Sequence, residues 1–179
     1  MTSTAAGALR RLYFIRFGFA IAWAVALGVT ASSLTPISVA LLVVYPLFDA
    51  AAAIVDFRTS DATGPRAALI LNLGLSTATA AALAFAVASG IPAVLITWGA
   101  WAIAAGIVQL VVAIKRYRLG GQWPMILSGG LSTLAGTSFI LMASGPDASM
   151  TALAGYATVG GIFFLASAIR LGRSARTAA

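Results

Sequence analysis

The polar side chains that could do chemistry in this chain are Arg16, Asp49, Asp56, Asn72 and Gln109, each set in a long apolar run. Asp49 lies nine residues (58 − 49) inward from Arg58, or about 13 Å at about 1.5 Å of helical rise per residue. A carboxylate that deep in a membrane costs about 2.5–3.5 kcal/mol on an insertion scale, so it must face other helices and find a partner. Asp56 shares its helix face but is expected near the interface, where charge is cheap. Arg16, about one turn inside the first helix, either snorkels to water or turns toward Asp49 on the second. The resulting pair is a structural ion pair or a proton- or ligand-responsive site, because a proton on Asp49 leaves Arg16 buried without its counter-charge. Gln109 is expected to bond between helices. Arg16, Asp49, Asn72 and Gln109 also trace the polar path of a small transporter or channel, but four groups are few to line a pore and one acid alone lies deep.

Composition decides where these residues sit. The chain is 61% apolar and 8% charged, with a mean hydropathy of +1.02, which excludes an ordinary soluble domain. No charge interrupts Ala67 to Ile114, a segment long enough for two spans of about 20 residues. Between Leu119 and Ile169 the sole charge is Asp147, beside Gly145-Pro146, and it reads as a turn. Zero cysteines remove disulfides and zinc-thiolate sites, and zero histidines remove the commonest metal ligand and general base. No cofactor, metal or catalytic residue is expected. The net charge of +7 comes from basic residues at span ends, so the expected partner is the lipid bilayer and not nucleic acid.

Helices are predicted over Leu12–Ala31, Pro36–Phe57, Arg66–Ser89, Pro92–Ile114, Trp123–Ala143 and Met150–Leu171. Pro36 and Pro92 suit the first helical turn, where a missing N–H costs nothing. The links Ser32–Thr35, Gly90-Ile91 and Gly145–Asp147 carry no basic residue, whereas all 11 Lys and Arg fall on the opposite side. The positive-inside rule then makes both termini cytoplasmic. Arg10-Arg11 followed by an apolar run and Thr30-Ala31-Ser32 also has the form of a secretory signal peptide. An internal repeat argues against that reading. Leu71–Thr77 recurs as Leu127–Thr133 (71 + 56 = 127), and the same shift backward sets Gly74 on Gly18 and Asn72 on Arg16. Tyr45, Trp101 and Tyr156 each precede by four residues Asp49, Ala105 and Gly160, followed by Ala50, Gly106 and Gly161.

The expected fold is therefore an all-α integral membrane protein, one domain of six transmembrane helices built as three two-helix hairpins (about 10–58, 66–118 and 122–173). Cleaving a leader would leave one helix of the first hairpin unpaired. Two-span units all point the same way, so only rotation about the membrane normal relates them, unlike the inverted halves of many transporters. Gly18, Gly74 and Gly130 in the odd helices, and Gly106 and Gly161 in the even ones, are expected at helix contacts, and such small-residue faces could also join a homo-oligomer. Leucine at Gly106 or Gly161 should separate the backbones, with alanine far milder.

The hairpins, Tyr45-Pro-Leu-Phe-Asp49, the stretch from Trp101 through Gly106 to Gln109, the loop Lys115-Arg116-Tyr117-Arg118, and Trp123 leading into Leu127–Gly136 resemble the HdeD family of bacterial inner-membrane proteins over roughly residues 10–173. Tyr45 and Asp49 match that family's aromatic and acidic positions, and Ala50 stands where glycine is expected. The resemblance implies a six-span, non-enzymatic protein of stress or acid tolerance, with no catalytic residues to carry over. An enzyme is disfavoured independently by short loops and by the lack of paired acids at one depth. The one-sided charge predicts that Lys115–Gln122 and the C-terminus are cytoplasmic, with Ser32–Thr35 and Asp147 outside. Reporter fusions at Asp147 and Ala179 check this, and a cytoplasmic signal at Asp147 overturns the six-span topology.

Overall fold

The structure, a computed structural model, describes residues 3–60, 64–146 and 148–177; the turn read at Asp147 and the terminal Ala179 lie outside the described residues. Six helices follow one another: α1 (Ser3–Thr30), α2 (Pro36–Thr59), α3 (Arg66–Ala86), α4 (Ile91–Lys115), α5 (Trp123–Ala143) and α6 (Thr151–Thr177). All six are long and apolar enough to cross a membrane. The links obey local chemistry. Thr35 caps α2 through a reciprocal box, its Oγ1 accepting from the Ser38 N–H at 3.2 Å while its own N–H donates to Ser38 Oγ at 2.8 Å. Gly90 turns the chain from a 3-10 turn (Val87–Ser89) into α4 at φ +91°, a left-handed conformation that favours glycine.

Two boundaries differ from expectation. The first helix begins at Ser3 rather than Leu12, so Arg16 sits well inside it instead of one turn from its start. The last helix runs past Leu171 to Thr177. The two lie side by side, and at their basic ends Arg10 lies against Gly172. Pro46 lies inside α2, where it cannot donate to the carbonyl four residues back. The neighbouring Leu41 carbonyl accepts from Trp23 Nε1 at 2.7 Å, which ties the weakened turn to α1.

The helices form a ring closed by α1 against α6. The closest packing joins α4 to α5, α6 to α1 and α2 to α3, while pairs across the tight non-basic links pack more sparsely. The hairpin of the sequence is thus not the unit of tightest packing. Side-chain size explains the difference. A Cβ on Gly99 would fall 2.5 Å from the Gly136 carbonyl oxygen, and one on Gly136 would fall 2.5 Å from that of Gly99. Gly106 and Gly129 repeat the reciprocal contact at 2.7 and 2.8 Å. Each backbone thereby packs directly on its partner's carbonyl, close enough for Cα–H···O contacts of about 0.5–1 kcal/mol each. Between α1 and α6, a Cβ on Gly161 would meet Ala20 at 3.2 Å and one on Gly28 would meet Ala154 at 3.9 Å.

The glycines expected in the odd helices behave otherwise. A Cβ at Gly18, Gly74 or Gly130 meets nothing within 4 Å, because these positions turn away from the neighbouring helices. The close approaches instead use Gly99, Gly129 and Gly136, which the repeat did not single out. At Gly106 even alanine meets an obstacle, the backbone oxygen of Gly129. We expect Gly106→Ala and Gly136→Ala to destabilise by about 1–3 kcal/mol, the usual range for overpacking, and Gly74→Ala to leave stability within about 0.5 kcal/mol. Melting curves in detergent measure this, and equal losses at all three sites would sink the assignment.

Candidate functional site

Two apolar clusters fill the ring at different depths. One holds Trp23, Leu27, Leu42, Leu83, Trp98, Phe139 and Leu153 in the half near the non-basic links. The other holds Leu9, Tyr13, Ala113, Met125, Phe164 and Leu171 near the basic ends. Between them runs a polar layer centred on Asp49, which is 5% exposed. Its Oδ1 accepts from Arg16 Nη2 of α1. Its Oδ2 accepts from Asn72 Nδ2 at 2.6 Å and Ser76 Oγ at 2.8 Å, both on α3. Ser76 in turn accepts from Trp101 Nε1 of α4 at 3.1 Å. Four helices thus converge on one carboxylate, and charge-assisted hydrogen bonds of this kind are about twice as strong as neutral ones.

Arg16 does not snorkel. Its guanidinium is held by Asp49 on one side and lies 4.4 Å from the Phe164 ring centroid of α6, a cation–π contact. Gln109 Nε2 donates to the Met125 carbonyl at 3.1 Å, joining α4 to α5. Farther along α5, Ser132 Oγ and the Tyr156 hydroxyl of α6 are 3.0 Å apart. A cleft of about 70 Å³ lies among Arg16, Asp49, Asp56, Asn72 and Gln109. A second of about 40 Å³ shares the walls Arg16, Asp49 and Gln109 and reaches Tyr45, Ser132 and Tyr156. A water needs about 10–15 Å³ of such space and several polar partners, so the clefts can hold a few.

Asp56 corrects the sequence reading. It was expected to sit near water; instead it is 8% exposed and joined to Arg116, itself 4% exposed, by a two-pronged ion pair of 2.7 and 2.8 Å. Arg116 Nη2 also donates to Ser60 Oγ at 2.6 Å, and Ser60 donates to Asp56 at 3.2 Å. Burial alone disfavours the Arg116 cation, but the hydrogen bonds and charge of Asp56 outweigh it and hold its pKa above the usual arginine value. Arg116 had been counted only as a loop charge. Its signal was available: Asp56 follows Asp49 by two helical turns and faces the same interior, so it too needs a cation. Ser76, which bonds Asp49, and Trp101, which bonds Ser76, were missed because a serine and an indole in apolar helices pass for packing.

The site therefore unites Arg16, Asp49 and Asn72 directly, with Asp56 and Gln109 lining the same cleft. Among the described residues, no three His, Cys, Asp or Glu side chains come together to hold a metal. No family model, curated protein or solved structure matches the chain.

Removing one partner of a buried ion pair leaves the other uncompensated and costs about 3–5 kcal/mol, whereas removing both costs less. Arg116→Gln should therefore destabilise strongly, and Asp56→Asn in the same molecule should recover part of the loss. The Arg16–Asp49 pair should behave alike. Double-mutant cycles read by detergent melting should give coupling of about 0.5–3 kcal/mol within each pair. Strict additivity within a pair would mean that its two charges do not interact.

Proposed function

We propose that this chain is a non-enzymatic bacterial inner-membrane protein acting in stress or acid tolerance, as its resemblance to the HdeD family implies. Both termini are cytoplasmic in this reading, and three repeated two-helix hairpins surround the polar layer. The repeat is supported by contacts at equivalent positions: Ser76 bonds Trp101 in the second hairpin, and Ser132 bonds Tyr156 in the third, each joining an odd helix to the next even one.

The observation that carries the proposal is the three-donor shell of Asp49. An ionised carboxylate only accepts hydrogen bonds, and every neighbour here donates to it. Loss of the Asp49 charge would leave Arg16 without its counter-charge. The charged and titratable groups around it are Arg16 and Tyr13 from α1, Asp56 and Tyr45 on its own helix, and Tyr156 from α6; Asn72, Ser76 and Gln109 supply neutral polar groups. Losing the Asp49 charge would loosen α1, α2 and α3 from one another in the middle of the bundle, so we read the network as a latch between these helices.

A second reading, a small proton- or solute-conducting transporter, is favoured by the two adjoining polar clefts. Against it stands the aromatic packing beyond them, where Trp23 stacks on Trp98 at 5.3 Å and Tyr45 and Trp101 close in at 5.5 and 5.4 Å from Trp98. Two measurements separate the readings. Asp49→Asn should lower survival after acid shock relative to the unaltered protein, and more than Asp56→Asn at matched expression. Proteoliposomes given a pH gradient should show no proton flux above protein-free vesicles. Flux abolished by Asp49→Asn would instead establish conduction, and unchanged acid survival would remove the latch.

A further inference from the structure

Away from the polar layer, the loop from α4 to α5 meets the end of α6 and encloses a cavity of about 410 Å³, lined by Tyr117, Gly120, Gln122, Trp123, Arg170 and Arg173. We infer that this cavity binds the phosphate headgroup of an anionic phospholipid. Several independent features converge on that chemistry. Arg170 and Arg173 are three residues apart on α6 and so share a face, and guanidinium groups match phosphate oxygens in a planar, two-pronged fashion. Trp123 opens α5 with no side-chain cap, so the positive end of a 21-residue helix borders the same loop.

The site is built rather than loose. Ser167 Oγ donates to the Gly121 carbonyl, pinning the loop to α6. Gly121 adopts φ +65°, and a Cβ there would lie 2.8 Å from the Leu171 nitrogen, so the loop seats directly on the helix backbone. Gln122 is 1% exposed and its side-chain Nε2 donates to the Gly120 carbonyl at 3.1 Å, while its side-chain amide oxygen Oε1 has no partner among the described residues. The floor is therefore polar and fixed.

A membrane lipid suits the position better than a free anion. Trp123 and Tyr117 are each about half exposed and meet edge to face at 6.1 Å. Paired aromatic rings beside arginines at the end of a span are the usual furniture of the headgroup layer. Exposed Leu127 continues along α5 on the apolar side, where an acyl chain would lie.

The test uses the full-length protein in a neutral detergent, with melting followed after adding phosphatidylglycerol, phosphatidylcholine or inorganic phosphate. Phosphatidylglycerol should raise the melting temperature by several degrees, with the other two giving little or nothing. The double variant Arg170→Gln/Arg173→Gln should lose at least two-thirds of that rise. Arg58→Gln, which removes an exposed charge outside the cavity, should keep it. Equal protection by phosphatidylcholine, by inorganic phosphate, or in the double variant overturns the proposal, as does an equal loss in Arg58→Gln. Should the double variant not fold, phosphatidylglycerol retained through purification is counted by native mass spectrometry for Trp123→Ala. A lower count than in the unaltered protein supports the site, and an unchanged count overturns it.

Discussion

A charge buried among apolar helices has no water to fall back on, and most of this structure's arrangement follows from that constraint. Asp49 and Asp56 lie on one face of α2, and each obtains an arginine from a different helix: Arg16 from α1, and Arg116 from the residue after α4. Satisfying both sets the rotation of α2, and with it which residues of α1, α3 and α4 turn inward. Pairs of this kind are weak sources of net stability, since desolvation offsets much of the attraction. Their effect is on specificity, because misplacing either arginine leaves a bare charge in the bundle. The apolar clusters above and below the polar layer have no such selectivity and can accept many side-chain arrangements.

Close packing supplies the complementary rule. In lipid no hydrophobic force draws helices together, so contacts rely on backbone approach and on hydrogen bonds. The interface of α4 and α5 uses the first means, through two reciprocal glycine pairs seven residues apart on each helix. The interface of α2 and α3 uses the second, through Asn72 and Ser76 on Asp49. Both interfaces join helices linked on the basic side. The sparser pairs across the opposite links leave room between helices, including the groove of about 340 Å³ between α1 and α2 lined by Arg11, Ile15 and Phe48.

Much of this was legible in the sequence, for physical reasons. Hydropathy located six spans because the bilayer demands long apolar runs, and Pro36 marked the start of α2 because helix starts have few acceptable chemistries. Asp49 announced its need for a partner, and Arg16 was the basic residue at reach. What stayed hidden depends on helix rotation. Gly18, Gly74 and Gly130 repeat as faithfully as Gly106, but a period of 56 residues does not say which face looks inward. Asp56 was misjudged because its sequence distance to Arg58 suggested water, whereas Arg116 reaches it from sixty residues away. The start of α1 was missed because the basic pair Arg10-Arg11 resembles a boundary, yet the helix continues through it.

The closure of the ring by α1 and α6 bears on the order in which the protein is made. Arg16 of α1 takes its counter-charge from α2, the next helix, and its aromatic neighbour Phe164 from α6. The surroundings of this arginine are therefore complete only once α6 has packed against α1. Without α6, Arg16 loses the ring of Phe164, and the face of α1 that meets Gly161 at Ala20 and Ile21 is left open.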